Sequence, residues 1–419
     1  MTQIEEARRG QLTPQMEHVA GAEGMDPTAL LGRVRDGLVV ILANLHHRGL
    51  KPIGVGEGLR TKVNANIGTS PSRSSVQDEL DKLHAALEAG ADTVMDLSTG
   101  GNLDEVLDAV VADCPVPLGT VPLYQTAIES GDAEAMSMDA YLEVFEKHAR
   151  AGVDFATVHA GVTRDCIPLA ERRLMGVVSR GGALLIKWMR KHRRESFLYE
   201  RYDDVLDIAR DHDVTISLGD GLRPGCIEDA TDEAQLAELK TLGELARRAR
   251  ERGVQVMIEG PGHIPLHQVV ENVRLEKEYC DNAPFYVLGP LPTDLTPAYD
   301  HITGAIGGAL ASMAGADFLC YVTPKEHVGL PGPEEVRQGV IVTRIAAHIG
   351  DVSKGVKSAI EADRKMSEAR ARRDWDAMLS LALDRHLFAQ MLAGEAKDDK
   401  CSMCEEFCAL KTFRPESVD

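Results

Sequence analysis

The sequence predicts an α/β fold: a (β/α)8 TIM-type barrel with a small N-terminal segment and a helical C-terminal region. Three observations predict it. From about residue 75, short β-branched runs alternate with amphipathic helical stretches, eight runs in about 250 residues. Nearly every run ends in polar or glycine-rich residues, where a barrel assembles its active site. After about residue 350 the rhythm stops and helix-prone, charged sequence follows. An open doubly wound sheet is the alternative arrangement of the same elements. The expected divisions are an N-terminal segment over 1–72, a barrel over 73–350 and a helical region over 351–419.

Residues 1 to about 70 read as irregular, with a helix-like start, a β-prone run at Leu38–Leu42 and a polar stretch at Lys62–Gly68. The first four expected strands are Thr93–Met95, Val116–Val121, Phe155–Val158 and Gly176–Val178. The last four are Val214–Leu218, Val254–Ile258, Phe285–Leu288 and Asp317–Val322. Helical periodicity occupies Glu79–Glu88, Leu103–Val111, Met138–Ala151, Val205–Arg210, Glu233–Arg252 and His301–Ala314. Aromatic residues are only 4%, so the core must rest on aliphatic side chains, with Met25 and Met313 expected inside it. The stretch Gly394–Lys400 is polar and is expected to be flexible.

Charge excludes one class of partner. The net charge of −20 disfavours nucleic acid, which selects a basic surface. The only basic run, Arg190–Arg194, reads as a solvated helix face. No uninterrupted apolar stretch of about 18 residues is present, so no membrane span is expected. The first residues, Met1–Glu6, lack the basic and apolar regions of a secretory signal, and eight cysteines in so long a chain read as reduced thiols. A cytoplasmic location is the expectation.

The strand ends carry the candidate chemistry. Ser179-Arg180-Gly181-Gly182 offers a hydroxyl, a guanidinium and freed backbone amides, a combination suited to a phosphate, or to a plain tight turn. Asp220 and Arg223 flank a glycine turn and could hold a cationic ring and an anion, or simply pair. Glu259 ends the sixth run, where a buried carboxylate can work as acid–base or bind a ring nitrogen. His263 and His327 end runs two strands apart and could share a metal, or be core histidines bonded to carbonyls. His159 and Tyr124 follow the third and second runs.

Cys401, Cys404 and Cys408 lie within eight positions, C-S-M-C-E-E-F-C. Three thiolates so spaced can hold three irons of a [4Fe–4S] cluster and leave the fourth open. Zinc is the alternative, but a structural zinc site needs four ligands and no His or Cys lies within twelve residues of the trio. Cys114, Cys166, Cys226, Cys280 and Cys320 are scattered and read as buried small hydrophobes.

Longer motifs carry a resemblance. Val63-Asn64-Ala65-Asn66-Ile67-Gly68, Val94-Met95-Asp96-Leu97-Ser98-Thr99-Gly100, Gly119-Thr120-Val121-Pro122 and Val178-Ser179-Arg180-Gly181-Gly182 are joined by three more. These are Ser217-Leu218-Gly219-Asp220-Gly221-Leu222-Arg223-Pro224-Gly225, Ile258-Glu259-Gly260-Pro261-Gly262-His263 and Tyr321-Val322-Thr323-Pro324-Lys325-Glu326-His327. From about residue 50 to 408 the chain resembles the ThiC family of thiamin pyrimidine synthases. The resemblance implies a radical S-adenosylmethionine lyase. It would turn 5-aminoimidazole ribotide into 4-amino-5-hydroxymethyl-2-methylpyrimidine phosphate, releasing formate, carbon monoxide, 5′-deoxyadenosine and methionine.

It also implies the site residues. Asn66, Met95, Tyr124, His159, Ser179, Arg180, Gly181, Asp220, Arg223, Glu259 and Tyr286 would bind the substrate, with His159, Asp220, Arg223 and Glu259 closest to the chemistry. Cys401, Cys404 and Cys408 would hold the cluster, and His263 with His327 a second metal, zinc being the expectation. A homodimer, whose cluster tail can close over the partner's barrel, and a reductant such as flavodoxin or ferredoxin complete the expected partners. The family's other branch makes 5-hydroxybenzimidazole from the same ribotide. The chain departs from the commoner family pattern in its C-x3-C second spacing, in Glu405 after Cys404, and in the loop Thr293–Asp300.

Overall fold

The computed structural model describes residues 1–393, 403, 407 and 409–413. The expected cluster ligands Cys401, Cys404 and Cys408 lie outside the described residues. The chain forms two compact units, Met1–Lys354 and Gly355–Asp419.

The first unit opens with helices α1 (Gln3–Arg8), α2 (Pro14–Glu23) and α3 (Pro27–Arg35) and an antiparallel pair, β1 (Val39–Leu42) with β2 (Ile53–Gly56). Each helix starts on a side-chain cap: Thr2, Thr13 and Asp26 each accept a main-chain N–H of the first turn. These elements share a small core of their own, with Met16, Val19, Leu30 and Ile41 at its centre and Met25 packed against it.

A closed parallel barrel follows, made of β3 (Lys62–Ile67), β4 (Thr93–Asp96), β5 (Leu118–Thr120), β6 (Phe155–Val158), β7 (Thr215–Leu218), β8 (Val256–Gly260), β9 (Phe285–Leu288) and β10 (Phe318–Cys320). β10 closes on β3, with Leu319 opposite Val63. The helices between the strands are α4 (Val76–Ala89), α5 (Leu103–Asp113), α6 (Pro122–Glu129), α7 (Met138–Ala151), α8 (Ile167–Ala170), α9 (Arg180–His192), α10 (Phe197–Glu200), α11 (Tyr202–His212), α12 (Glu233–Glu251), α13 (Leu266–Tyr279) and α14 (Asp300–Ala314); α15 (Pro333–Lys354) ends the unit. The (β/α)8 expectation is therefore met, with two corrections.

Gly176–Val178 is not a strand. Gly176 turns the chain at φ 63°, and Val178 is 37% exposed in the approach to α9. The eighth strand is instead Lys62–Ile67, so the barrel begins before residue 73. Its pattern is inverted. Val63, Ala65 and Ile67 join the core beneath the helices, while Asn64 turns inward and donates to the Tyr286 hydroxyl at 2.8 Å. Met313 is also corrected: it is 46% exposed, on the outward face of α14 with Ile302 and Ile306.

The N-terminal ends of the strands are sealed. Gln255 precedes β8 and pairs with β1 as a strand would, its side chain accepting from Ile41 N at 2.7 Å and donating to Ile41 O at 2.9 Å. An aspartate stands immediately before β4, β6 and β10 and accepts from the main chain of the strand preceding it: Asp92 from Val63 N at 2.8 Å, Asp154 from Leu118 N at 2.8 Å, Asp317 from Phe285 N at 3.0 Å. Inside the barrel Phe318 stacks on Tyr286 and meets the edge of Phe155. A Cβ at Gly119 would overlap the Phe155 ring, so glycine there makes room for the aromatic layer.

The second unit holds α16 (Lys357–Arg372), α17 (Trp375–Leu381), α18 (Arg385–Ala393) and α19 (Ala409–Phe413). Asp374 caps α17 by accepting from Ala377 N at 3.0 Å. Of its described residues only Ala359 and Ala369 are buried.

Candidate active site

A cavity opens at the strands' C-terminal ends. Eight expected residues line it: Asn66, Met95, Tyr124, His159, Asp220, Arg223, Glu259 and Tyr286. Each is delivered by a strand end or the segment just beyond. Asn66 is the last residue but one of β3, and its amide donates to the Cys320 thiol at 3.1 Å. Tyr286 in β9 is fixed by its stacking on Phe318, with ring centroids 4.2 Å apart.

The charged groups form one cluster. Glu259 accepts from the Thr157 and Ser217 hydroxyls, both at 2.7 Å, which aims the carboxylate. Burial raises its pKa, against these two hydrogen bonds and the Arg223 charge. Arg223 donates to Asp220 Oδ1 at 3.0 Å, so the two do pair, yet Asp220 Oδ2 is buried without a hydrogen-bond partner. Burial pushes the Asp220 carboxyl up to about 7; Arg223 opposes this and Glu259 adds to it. One cation thus serves two carboxyls, a cluster suited to a cationic or hydrogen-bond-donating ring.

His159 follows β6 and is 2% exposed, with Nδ1 lacking a partner. Burial first, then the Arg223 charge, pushes its pKa down to about 3, so the ring is neutral and can accept or donate. Gly181 lies against this ring: a Cβ there would overlap the imidazole. Ser179 caps α9, accepting from Gly182 N at 3.2 Å. Arg180, the first residue of α9, lies over the Tyr124 ring at 4.7 Å. It also borders a neighbouring cavity with Asn66, Leu97 and Tyr321. The phosphate-suited motif is therefore a helix N-terminus beside the main cavity.

The two histidines come together. The His263 and His327 rings are 5.2 Å apart between centroids. Nδ1 of His263 bonds Asp294 at 2.7 Å, and Nδ1 of His327 bonds Asp300 at 3.0 Å. A carboxylate on each Nδ1 selects the tautomer whose Nε2 presents a lone pair, the arrangement of a metal-ligating imidazole. Two such rings fit a metal and leave positions for other ligands. Among the described residues no group of three or more His, Cys, Asp or Glu side chains is assembled for a metal.

Several site residues escaped the sequence reading. Thr157 and Ser217 orient Glu259, and Asp294 and Asp300 orient the histidines. The first two were accessible in principle: Phe155, Thr157 and His159 share one face by strand alternation. Cys320 is buried, as expected of a small hydrophobe, but it also lines the cavity. The remaining four cysteines outside the tail are buried.

The description "Radical SAM ThiC family" belongs to the family model that matches residues 2–415. A phosphomethylpyrimidine synthase of Dehalococcoides mccartyi is 54% identical over 418 residues, covering 98% of this chain and 97% of that protein. One of Desulforamulus reducens is 51% identical over 419 residues, with the same coverage. One of Desulforudis audaxviator is 54% identical over 420 residues, again covering 98% and 97%.

Proposed function

The chain belongs to the radical SAM ThiC family and is an enzyme, and on that premise we propose that it is a phosphomethylpyrimidine synthase of thiamine biosynthesis. Its substrate is 5-aminoimidazole ribotide and its product 4-amino-5-hydroxymethyl-2-methylpyrimidine phosphate. The observation that carries this reading is the convergence of Asp220, Arg223, Glu259 and His159 with Asn66, Met95, Tyr124 and Tyr286 in one cavity. It offers a carboxyl cluster for an amino-substituted imidazole beside a helix N-terminus for a phosphate.

The geometry supports the following roles. Arg180, with the free amides of the first turn of α9, holds the phosphate, and Ser179 and Gly181 shape that turn around it. The neutral His159 hydrogen-bonds the ribose through its free Nδ1. Glu259, aimed by Thr157 and Ser217, binds the imidazole ring or its amino group, and Asp220 exchanges a proton near neutral pH. Arg223 stays charged against burial because Asp220, Tyr124 and Glu259 surround it, and it balances the carboxylates. Met95, Leu97, Val121 and Leu288 wall the cavity and limit water.

Cys401, Cys404 and Cys408 are the donor set of a [4Fe–4S] cluster with an open iron. With S-adenosylmethionine, such a cluster supplies the one-electron, hydrogen-abstracting chemistry. His263 and His327 would hold the second metal, zinc, through Nε2, and as two ligands alone they would leave it coordination positions for other groups. A flavodoxin or ferredoxin supplies the electron, and the enzyme works in the cytoplasm as a homodimer. Ile302, Ile306 and Met313 of α14 with Ile345 and Ile349 of α15 are exposed, on two helices packed together, and supply an apolar face for a second copy.

The test is anaerobic. The reconstituted, reduced enzyme is given S-adenosylmethionine and 5-aminoimidazole ribotide, and the products are identified by mass. A pyrimidine phosphate with 5′-deoxyadenosine is the expected result. Hydroxybenzimidazole would reassign the product, and absence of 5′-deoxyadenosine would overturn the reading.

A further inference from the structure

Behind the carboxyl cluster lies a second, narrow cavity that shares Asp220, Arg223, Glu259 and Gly260 with the active-site cavity. Glu238 of α12 lines it and is 2% exposed. Its Oε2 accepts from Leu222 N at 2.7 Å, and its Oε1 is buried without a hydrogen-bond partner. Leu222 sits between Asp220 and Arg223, so this one bond ties their loop to α12. Gly221 makes the approach possible, since a Cβ there would overlap Val162 and stand 3.2 Å from Glu238 Oε1. Two further polar side chains of the cavity are already engaged: Gln235 donates to Asn272 at 2.6 Å, and Asn272 donates to Thr231 at 2.9 Å. Glu238 makes the shorter side-chain hold on the loop; Arg173 adds a longer one, donating to Arg223 O at 3.4 Å.

We propose that Glu238 is a positioning residue that clamps the Asp220–Arg223 loop in its neutral, protonated form. A neutral clamp holds the Leu222 amide and leaves the Arg223 charge to Asp220 and the ligand; an ionised one would set a third negative charge behind Asp220 and Glu259. The surroundings favour the proton. Burial, then the Asp220 charge, pushes the Glu238 carboxyl up to about 8, against the amides of Leu222 and Gly221 and the charge of Arg173. The charged and titratable groups facing it are Arg173, committed to Asp232 by a bidentate pair; Asp220 and Arg223; Glu259; and the Cys166 thiol. Arg173, the only one of these cations outside the loop, is thus already neutralised.

The proposal rests on the ribotide reading for its ligand, and the test separates the two. Full-length wild type, Glu238→Gln and Glu238→Met are compared by calorimetric titration with 5-aminoimidazole ribotide at pH 7 and 9. Exchange of the Leu222 amide is followed at pH 7 by mass spectrometry. Glu238→Met, similar in volume but without an acceptor, should lose about tenfold in ribotide affinity and the protection of Leu222. Glu238→Gln should keep both at pH 7. From pH 7 to 9 the wild type should weaken more than Glu238→Gln, a difference that a merely structural role would not produce. Wild-type affinity in Glu238→Met, or equal impairment of both variants, overturns the proposal. If Glu238→Met does not fold, the pH comparison of wild type with Glu238→Gln decides it: parallel profiles overturn it. If no form binds the ribotide, the substrate reading fails and Leu222 exchange decides alone, with protection unchanged in Glu238→Met counting against the clamp.

Discussion

Asp220 concentrates the electrostatic cost of this site. Its carboxyl is buried near those of Glu259 and Glu238, and among the described residues Arg223 is its only hydrogen-bonded cation. Its folded pKa, about 7, lies above the ordinary value of 3.8, so between these values the folded state binds more protons than the unfolded chain. Stability from this group is therefore fully present below about pH 4 and is lost as pH rises through 7. Asp220→Asn, which cannot ionise, should gain stability relative to wild type by more than about 1 kcal/mol between pH 4.5 and 7.5. Denaturant unfolding at the two pH values checks this; an unchanged difference would show that the carboxyl is not strained.

Much of this residue set was legible because polar side chains recur at strand ends, where packing alone gives no reason for them. The second layer was not. Asp294 lies in a loop whose sequence gives no sign of contact with His263, and Glu238 sits in a long charged helix where a buried glutamate looks like its exposed neighbours. Contact between residues distant in sequence decides both.

Among the elements, α9 best joins sequence to function. Ser179 caps it and Arg180 begins it, so the same turn must be both stable and receptive to an anion. Ser179→Ala should cost about 1 kcal/mol of stability. Ser179→Asp should cap equally well and restore the melting temperature, yet it places a carboxylate at the proposed phosphate position and should not restore ribotide affinity. Thermal unfolding and calorimetry together separate the two roles. The strands divide on similar physical grounds. β6, β7, β8 and β9 are apolar runs with clear limits, and their sequences announce them. In β3 the residues turned toward the barrel axis are polar, so a search for apolar runs passes over it. Gly176–Val178 misleads for the opposite reason, two valines beside a turn.

For the whole molecule, the barrel is closed at one end by the N-terminal elements and open at the other, so ligands have one approach. The apolar face of α14 and α15 lies on the outside of the barrel and tests the assembly. Ile306→Asp should convert a dimer to a monomer in sedimentation velocity while leaving the far-ultraviolet circular dichroism unchanged. A wild-type monomer, or a variant that remains dimeric, would place the contact elsewhere or remove it. The division of the first unit into a small N-terminal core and a large barrel was only partly visible, because Gln255 and Asp154 join the two through side chains rather than a continuous sheet.

The seam between β3 and β10 also sets a timetable for synthesis. Val63 pairs opposite Leu319, so the first barrel strand emerges from the ribosome long before the strand that completes it. At common translation speeds that interval is roughly 10–50 s. Throughout it β3 has an unpaired edge, the kind of surface through which nascent chains adhere to one another. Lys62, Asn64 and Asn66 on that strand make it a poor template for such pairing. The polarity that conceals β3 from a search for strands thus guards the newborn chain until its last partner arrives.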